Sequence, residues 1–170
     1  MSVRWGIAGP GRIAATVAAE FAHVPDAELV AVGSRSPERA KEFAGRFGIP
    51  RAHGSYAELF ASDVDAIYLA TPHGQHTELA LAAIEAGKAV LVEKSFTTSV
   101  ADTEAIIRAG RERGVFVMEA MWTRFLPAIV RLRRMVADGE LGELRAVYGD
   151  LLAFREFEPA DRLFNPALGG

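Results

Sequence analysis

Read for the spacing of its apolar positions, the chain alternates two patterns over residues 1–120. Short continuous apolar runs, at residues 3–8, 29–32, 66–70, 89–92 and 115–118, are separated by stretches whose apolar residues recur at helical spacing. Ile13, Val17 and Phe21 form the first helical stripe, within residues 12–23, and Pro25-Asp26 breaks it. Ser36-Pro37-Glu38 reads as a second helix start, with Pro at the first helical position, and Gly48 as its stop. Ser55 caps a short helix at residues 56–60, and Gly87 terminates a longer one at residues 75–86. Residues 101–113, carrying Ile106 and Ile107, form the last helix of the series and end at Gly114. Continuous apolar strands alternating with helices predict a parallel sheet covered on both faces, a doubly wound α/β domain. The run at residues 66–70 counts as its fourth strand, 89–92 as its fifth and 115–118 as its sixth. Beyond it, residues 129–136 read as a connecting helix, Asp138-Gly139 as its stop and residues 144–154 as one long strand.

Ligands of such sheets lie at the carboxyl ends of the strands, so the residues that follow each run carry the candidate chemistry. After the first comes Gly9-Pro10-Gly11 with Ala14, which fits the G-x-G-x-x-G/A spacing of a dinucleotide-binding turn. The first small residue allows the tight turn, the second admits a pyrophosphate against the backbone, and the third lets helix and strand pack closely. The helix opening at Arg12 and Ile13 directs unpaired N–H groups and the positive end of its dipole at that pyrophosphate. After the second run stand Ser34 and Arg35, with Arg39 one helical turn on, where NAD-binding versions carry an acid for the ribose 2′-hydroxyl. A guanidinium pairs with a 2′-phosphate, so these residues favour NADP, with NAD as the alternative cofactor. The competing reading makes both arginines solvated charges at a helix start.

After the fourth run come Thr71, Pro72, His73 and His76. A metal reading of the two histidines lacks a third His or Cys nearby, so Thr71, Pro72 and His76 are assigned to the cofactor's edge and His73 is left open. Glu93 and Lys94 follow the fifth run, and Lys94 is one of three lysines in the chain, with Lys41 and Lys88. A lysine can give up its proton where an arginine cannot, which makes Lys94 the candidate acid/base residue. The bland alternative is a surface Glu-Lys pair.

Composition narrows the class. The 170 residues are 50% hydrophobic and 24% charged, enough for one sizeable core with little left for a second complete domain. A net charge of −3 without a basic run offers nothing to a nucleic-acid backbone or an anionic membrane surface, so a small molecule is the expected partner. The absence of Cys excludes disulfides and thiolate ligands. No charged-then-apolar leader and no membrane-length apolar run is present, and the expected location is cytoplasmic.

Gly9-Pro-Gly-Arg-Ile-Ala14, Ser34-Arg-Ser-Pro-Glu-Arg39, Ala70-Thr-Pro-His-Gly-Gln-His76 and Glu93-Lys94 resemble the Gfo/Idh/MocA family of oxidoreductases. Arg4-Trp-Gly-Ile7 and Glu119-Ala-Met-Trp-Thr-Arg-Phe125 are most similar to its branch of dimeric dihydrodiol and NADP-dependent D-xylose dehydrogenases. The resemblance implies a Rossmann domain at residues 1–120, NADP-linked oxidation of a sugar, polyol or trans-dihydrodiol hydroxyl, and Lys94 at the reacting centre. It implies that Trp122 and Arg124 border the substrate and that the full-length form is a homo-oligomer. It also implies that residues 121–170 begin an α+β open-sheet domain, here truncated, so the 170-residue chain alone is expected to bind NADP without turnover. The family carries Pro after the Glu-Lys pair where this chain has Ser95, which removes a ring constraint from the segment bearing Lys94. A non-catalytic NAD(P)-binding module or redox sensor is the alternative function.

Overall fold

The structure, a computed structural model, describes residues 2–152, 154–161 and 163–165. Its centre is a six-stranded parallel sheet of β1 (Val3–Ala8), β2 (Ala27–Gly33), β3 (Arg51–His53), β4 (Ala66–Leu69), β5 (Ala89–Val92) and β6 (Val117–Glu119). The strand order is β3-β2-β1-β4-β5-β6, so the winding reverses between β1 and β4, where doubly wound sheets open a ligand crevice. The helices α1 (Arg12–Glu20), α2 (Pro37–Phe47), α3 (Tyr56–Ala61), α4 (His76–Glu85) and α5 (Val100–Arg113) connect successive strands.

Alternate residues of each strand feed opposite faces. Ile7, Val32 and Tyr68 pack with Ala14 and Ala18 of α1 and Phe43 and Ala44 of α2. Their neighbours Ala8, Ala31, Ile67 and Leu69 pack with Leu59 of α3, Ala80, Ala83 and Ile84 of α4, and Ile106 of α5. This two-sided burial is why the strands read as continuous apolar runs. The predicted helix ends have the expected chemistry. Ser36 and Ser55 accept the N–H of Arg39 and Glu58, and Gly48 and Gly114 close α2 and α5 at φ +66° and +64°.

Most element ends move by one to three residues, and at three segments the difference from the sequence reading has a distinct cause. The third strand has no apolar run to announce it, because β3 is a three-residue edge strand of Arg, Ala and His. Edge strands are commonly short and charged, and Arg51 spends its guanidinium on Val30 O and Asp63 O. β6 starts two residues later than the apolar run, since the Val115 N–H donates to Gly110 O and closes the end of α5.

The larger correction falls at residues 144–154. Among its described residues none forms a strand, and Val147, Tyr148, Leu151, Leu152 and Phe154 are almost wholly exposed. A strand exists through the ladder it makes with a neighbour, and β1 to β6 pair only with one another. Before that segment, a 3-10 turn at Trp122–Phe125 leads into α6 (Pro127–Ala137), which reproduces the predicted connecting helix and buries no residue.

Candidate active site

The sheet order brings the ends of β1, β2, β4 and β5 around one cleft of about 710 Å³. Gly9, Pro10, Gly11, Arg12 and Ile13 form one wall and Ser34, Arg35 and Arg39 a second, while Thr71, Pro72, His73, Glu93 and Lys94 close the far side. The two glycines serve different purposes. Gly9 has φ +93°, and a Cβ there would lie 2.9 Å from Thr71 Cγ2 and 3.1 Å from Ala70 O, so the fold itself demands glycine. Gly11 is extended (φ −101°), and a Cβ on it would meet no described atom within 4 Å, so a side chain would start in open space at the cleft wall.

No side chain caps α1, and its first helical bond runs from Ala15 N–H to Gly11 O at 3.0 Å. The N–H groups of Arg12, Ile13 and Ala14 therefore precede the helical ladder and are available to an anion. Opposite them, Ser34 Oγ accepts the Ser36 N–H at 3.1 Å, which leaves its own O–H free to donate. Arg35 and Arg39 are exposed around the same corner. Tyr56 of α3 also lines the cleft; burial pushes its hydroxyl pKa up, and the neighbouring Arg35 and Arg39 oppose that shift.

On the far side, β5 delivers Glu93 and Lys94. Tyr68, buried in β4, donates its hydroxyl to Glu93 Oε1 at 2.7 Å, and the Lys94 N–H donates to Glu93 Oε2 at 3.1 Å. Burial first, and then that carboxylate, push the Tyr68 pKa up and hold it as a donor. The next residues are tied down by side chains from elsewhere. The Ser95 N–H donates to His73 Nε2 at 3.2 Å, and the Phe96 N–H donates to Glu119 Oε1 at 3.0 Å. The Lys94–Ser95 peptide bond is cis.

Most sequence-predicted site residues meet here: Gly9, Gly11, Arg12, Ile13, Ser34, Arg35, Arg39, Thr71, Pro72, Glu93 and Lys94 all line the cleft. His76 is placed differently from these. It is fully buried behind the wall, with both ring nitrogens against backbone carbonyls, and it does not line the cleft. Trp122 and Arg124 sit on the exposed turn after β6 and do not reach this volume either. His73, left open from the sequence, lines the cleft, whereas Tyr56 and Tyr68 gave no such sequence signal, although a Tyr within the aliphatic run of β4 asks for a hydroxyl partner once buried. Among the described residues no group of three or more His, Cys, Asp or Glu could hold a metal ion.

Comparison with known proteins gives this geometry a lineage. Residues 3–121 match the family described as GFO_IDH_MocA, oxidoreductase family, NAD-binding Rossmann fold. The chain belongs to the Gfo/Idh/MocA oxidoreductase family. It is 44% identical over 150 residues to trans-1,2-dihydrobenzene-1,2-diol dehydrogenase of Bos taurus, covering 86% of this chain and 45% of that protein. It is 39% identical over 173 residues to the Mus musculus enzyme of the same name, covering 100% of this chain and 52% of that protein. Among solved structures it superimposes with a TM-score of 0.77 on a 3-ketoreductase of Actinomadura kijaniata in complex with NADP. That pair is 34% identical, covering 85% of this chain and 47% of the other. The chain thus spans about half the length of the curated relatives it matches.

The residues present fit the dinucleotide that defines the Gfo/Idh/MocA family. Gly11 keeps the approach to the N-terminus of α1 clear of side chains, and the free N–H groups there suit a pyrophosphate. Thr71 Oγ1, buried at the cleft wall, has no hydrogen-bond partner among the described residues, so a ligand group seated against that wall would satisfy it.

Proposed function

We propose that this chain carries the cofactor site and the acid/base lysine of an NADP-dependent dehydrogenase acting on a hydroxyl of a trans-dihydrodiol or a sugar-like polyol. The observation that carries the reading is the single cleft in which the glycine turn, the Ser34-Arg35-Arg39 corner and Lys94 meet. In it, the N–H groups at the start of α1 grip the pyrophosphate, and Arg35 and Arg39 take the 2′-phosphate, where a carboxylate would repel it. Glu93, oriented by Tyr68 and by the Lys94 N–H, is placed to accept a ribose hydroxyl.

A nicotinamide bound at the β4–β5 side supplies hydride transfer to or from the carbon that bears the reacting oxygen. Lys94 Nζ does the proton work at that oxygen: it hydrogen-bonds the hydroxyl and takes its proton on oxidation, and returns it on reduction. The substrate class is supported by the shared identity with enzymes named for a cyclic trans-diol, and the NADP preference by the absence of an acid at Ser34 and Arg35.

The test is Lys94→Met in the whole protein, assayed with trans-1,2-dihydrobenzene-1,2-diol and NADP beside an NADPH fluorescence titration. Turnover should fall by about 10²- to 10⁴-fold while NADPH affinity stays within about threefold. Turnover preserved within a few-fold would make the lysine a bystander and the reading wrong.

A further inference from the structure

We propose that His76 is a positioning residue for Lys94: buried behind the cleft, it ties the segment that carries the lysine to the end of the neighbouring strand. The inference rests on the reading of Lys94 as the acid/base group. Among the described residues nothing makes a hydrogen bond or ion pair to the Lys94 ammonium, and Lys94 lines the cleft, so the backbone of residues 94–96 decides where Nζ stands. That backbone follows β5 and has no strand ladder of its own, since β5 ends at Val92. Its path is set by side chains instead.

His76 makes the most buried of these ties. The ring is 0% exposed; its Nε2 lies 2.9 Å from Thr71 O, and its Nδ1 lies 3.1 Å from both Ser95 O and Phe96 O. One edge of the ring therefore meets the end of β4 and the other meets the two residues after Lys94; a neutral imidazole donates from one nitrogen only, and that N–H is assigned to Nδ1, toward Ser95 O and Phe96 O. His73 stands edge-on to it, at 5.3 Å between ring centroids, and meets the same segment at Lys94 O and the Ser95 N–H.

Packing alone does not explain a histidine here. The other buried positions of α4 are Ala80, Ala83 and Ile84, and burying an imidazole among them is unfavourable unless its nitrogens are bonded. An aliphatic residue would leave the carbonyls of Ser95 and Phe96 without the imidazole N–H that faces them. Thr71 and Lys94 both line the cleft, so a link between their segments couples the wall against which the ligand rests to the group that would move the proton.

Two amides separate the two sides of the ring. In His76→Asn the side-chain nitrogen can take the place of Nδ1 and donate to Ser95 O or Phe96 O. In His76→Gln it takes the place of Nε2 and reaches Thr71 O alone. Both variants are to be compared with the wild type and Lys94→Met in the whole protein. The measurements are melting, NADPH affinity, kcat and KM for trans-1,2-dihydrobenzene-1,2-diol, and amide exchange of a peptide spanning residues 94–96.

The expected result is a kcat loss of about 30- to 100-fold for His76→Gln and within about threefold for His76→Asn, with KM and NADPH affinity changed little in either. Exchange at residues 94–96 should rise in the Gln variant and stay near wild type in the Asn variant. Equal effects of the two amides on kcat, or exchange unaltered in the Gln variant, would overturn the proposal. Loss of the underlying reading looks different: Lys94→Met would then remain active, whatever the His76 variants do.

Discussion

The two glycines of the turn after β1 can be separated by experiment, because the chain itself requires one and the ligand the other. Gly9→Ala forces a residue with a Cβ to φ +93° and places that carbon 2.9 Å from Thr71 Cγ2 and 3.1 Å from Ala70 O. Left-handed backbone costs an L-residue about 1–2 kcal/mol and overpacking adds about 1–3, for a total near 2–5 kcal/mol. In a domain of this size that is a fall of roughly 5–15 °C in melting temperature. The Cβ that Gly11→Val adds meets no atom within 4 Å, and the residue keeps an ordinary extended conformation. Its loss as an N-cap, about 1 kcal/mol, is offset by the reduced freedom of the unfolded chain, so melting should change by no more than about 2–4 °C. NADPH binding should respond the other way. If the valine side chain denies a pyrophosphate two N–H bonds worth about 1.5 kcal/mol each, affinity falls by about 3 kcal/mol, more than a hundredfold. Thermal melts monitored by circular dichroism and fluorescence titration with NADPH measure both arms. A Gly11→Val protein that melts as early as Gly9→Ala yet binds NADPH normally would refute the reasoning.

Replacing Arg35 by Ala should weaken NADPH by about 1.5–3 kcal/mol and NADH little, as read by paired titrations; equal losses for the two cofactors would remove the 2′-phosphate assignment. Asp65, bonded by the side chain and N–H of Arg4, is held at a pKa of about 2, below the ordinary carboxylate value. A depressed pKa stabilises the fold above the unfolded-state value and loses that contribution as pH falls through the folded one. Asp65→Asn should therefore lower the urea midpoint at pH 7, and the two proteins should converge between about pH 4 and 2. A gap that persists at the acid end would show that the carboxylate's charge is not the cause.

How far the sequence spoke depended on whether the causes were local. The starts and stops of α2, α3 and α5 were legible because Ser36, Ser55, Gly48 and Gly114 act on atoms within a few residues of themselves. Strand β5 was legible to the residue because its partners on both sides make it apolar throughout. β3 was not, because an edge strand needs only one partner and can be polar. Residues 144–154 read as one long strand, but an apolar pattern does not supply the neighbour that would pair with it. The cleft wall was visible as a row of residues following strands. The ties behind it were not: Tyr68 to Glu93, His76 to Ser95 and Phe96, and Glu119 to Phe96 span 19 to 25 positions, and only the sheet order brings them together.

At the end of the sheet opposite the cleft, three cations converge on the short loop at residues 62–65. Arg4 pairs with Asp63 and Asp65, Arg51 donates to Asp63 O at 2.9 Å, and Lys88 Nζ donates to Ser62 O and Val64 O at 2.9 and 3.0 Å. Arg4 and Arg51 lie at the amino-terminal ends of β1 and β3, and Lys88 immediately precedes β5, so three of the six strands are clamped at the end opposite the cleft. The molecule is a fan riveted at its handle. Substitutions and length changes in the loops at the open rim can alter what is held there without loosening the rivet. On such a scaffold, new specificities can arise among descendants by changing the rim alone.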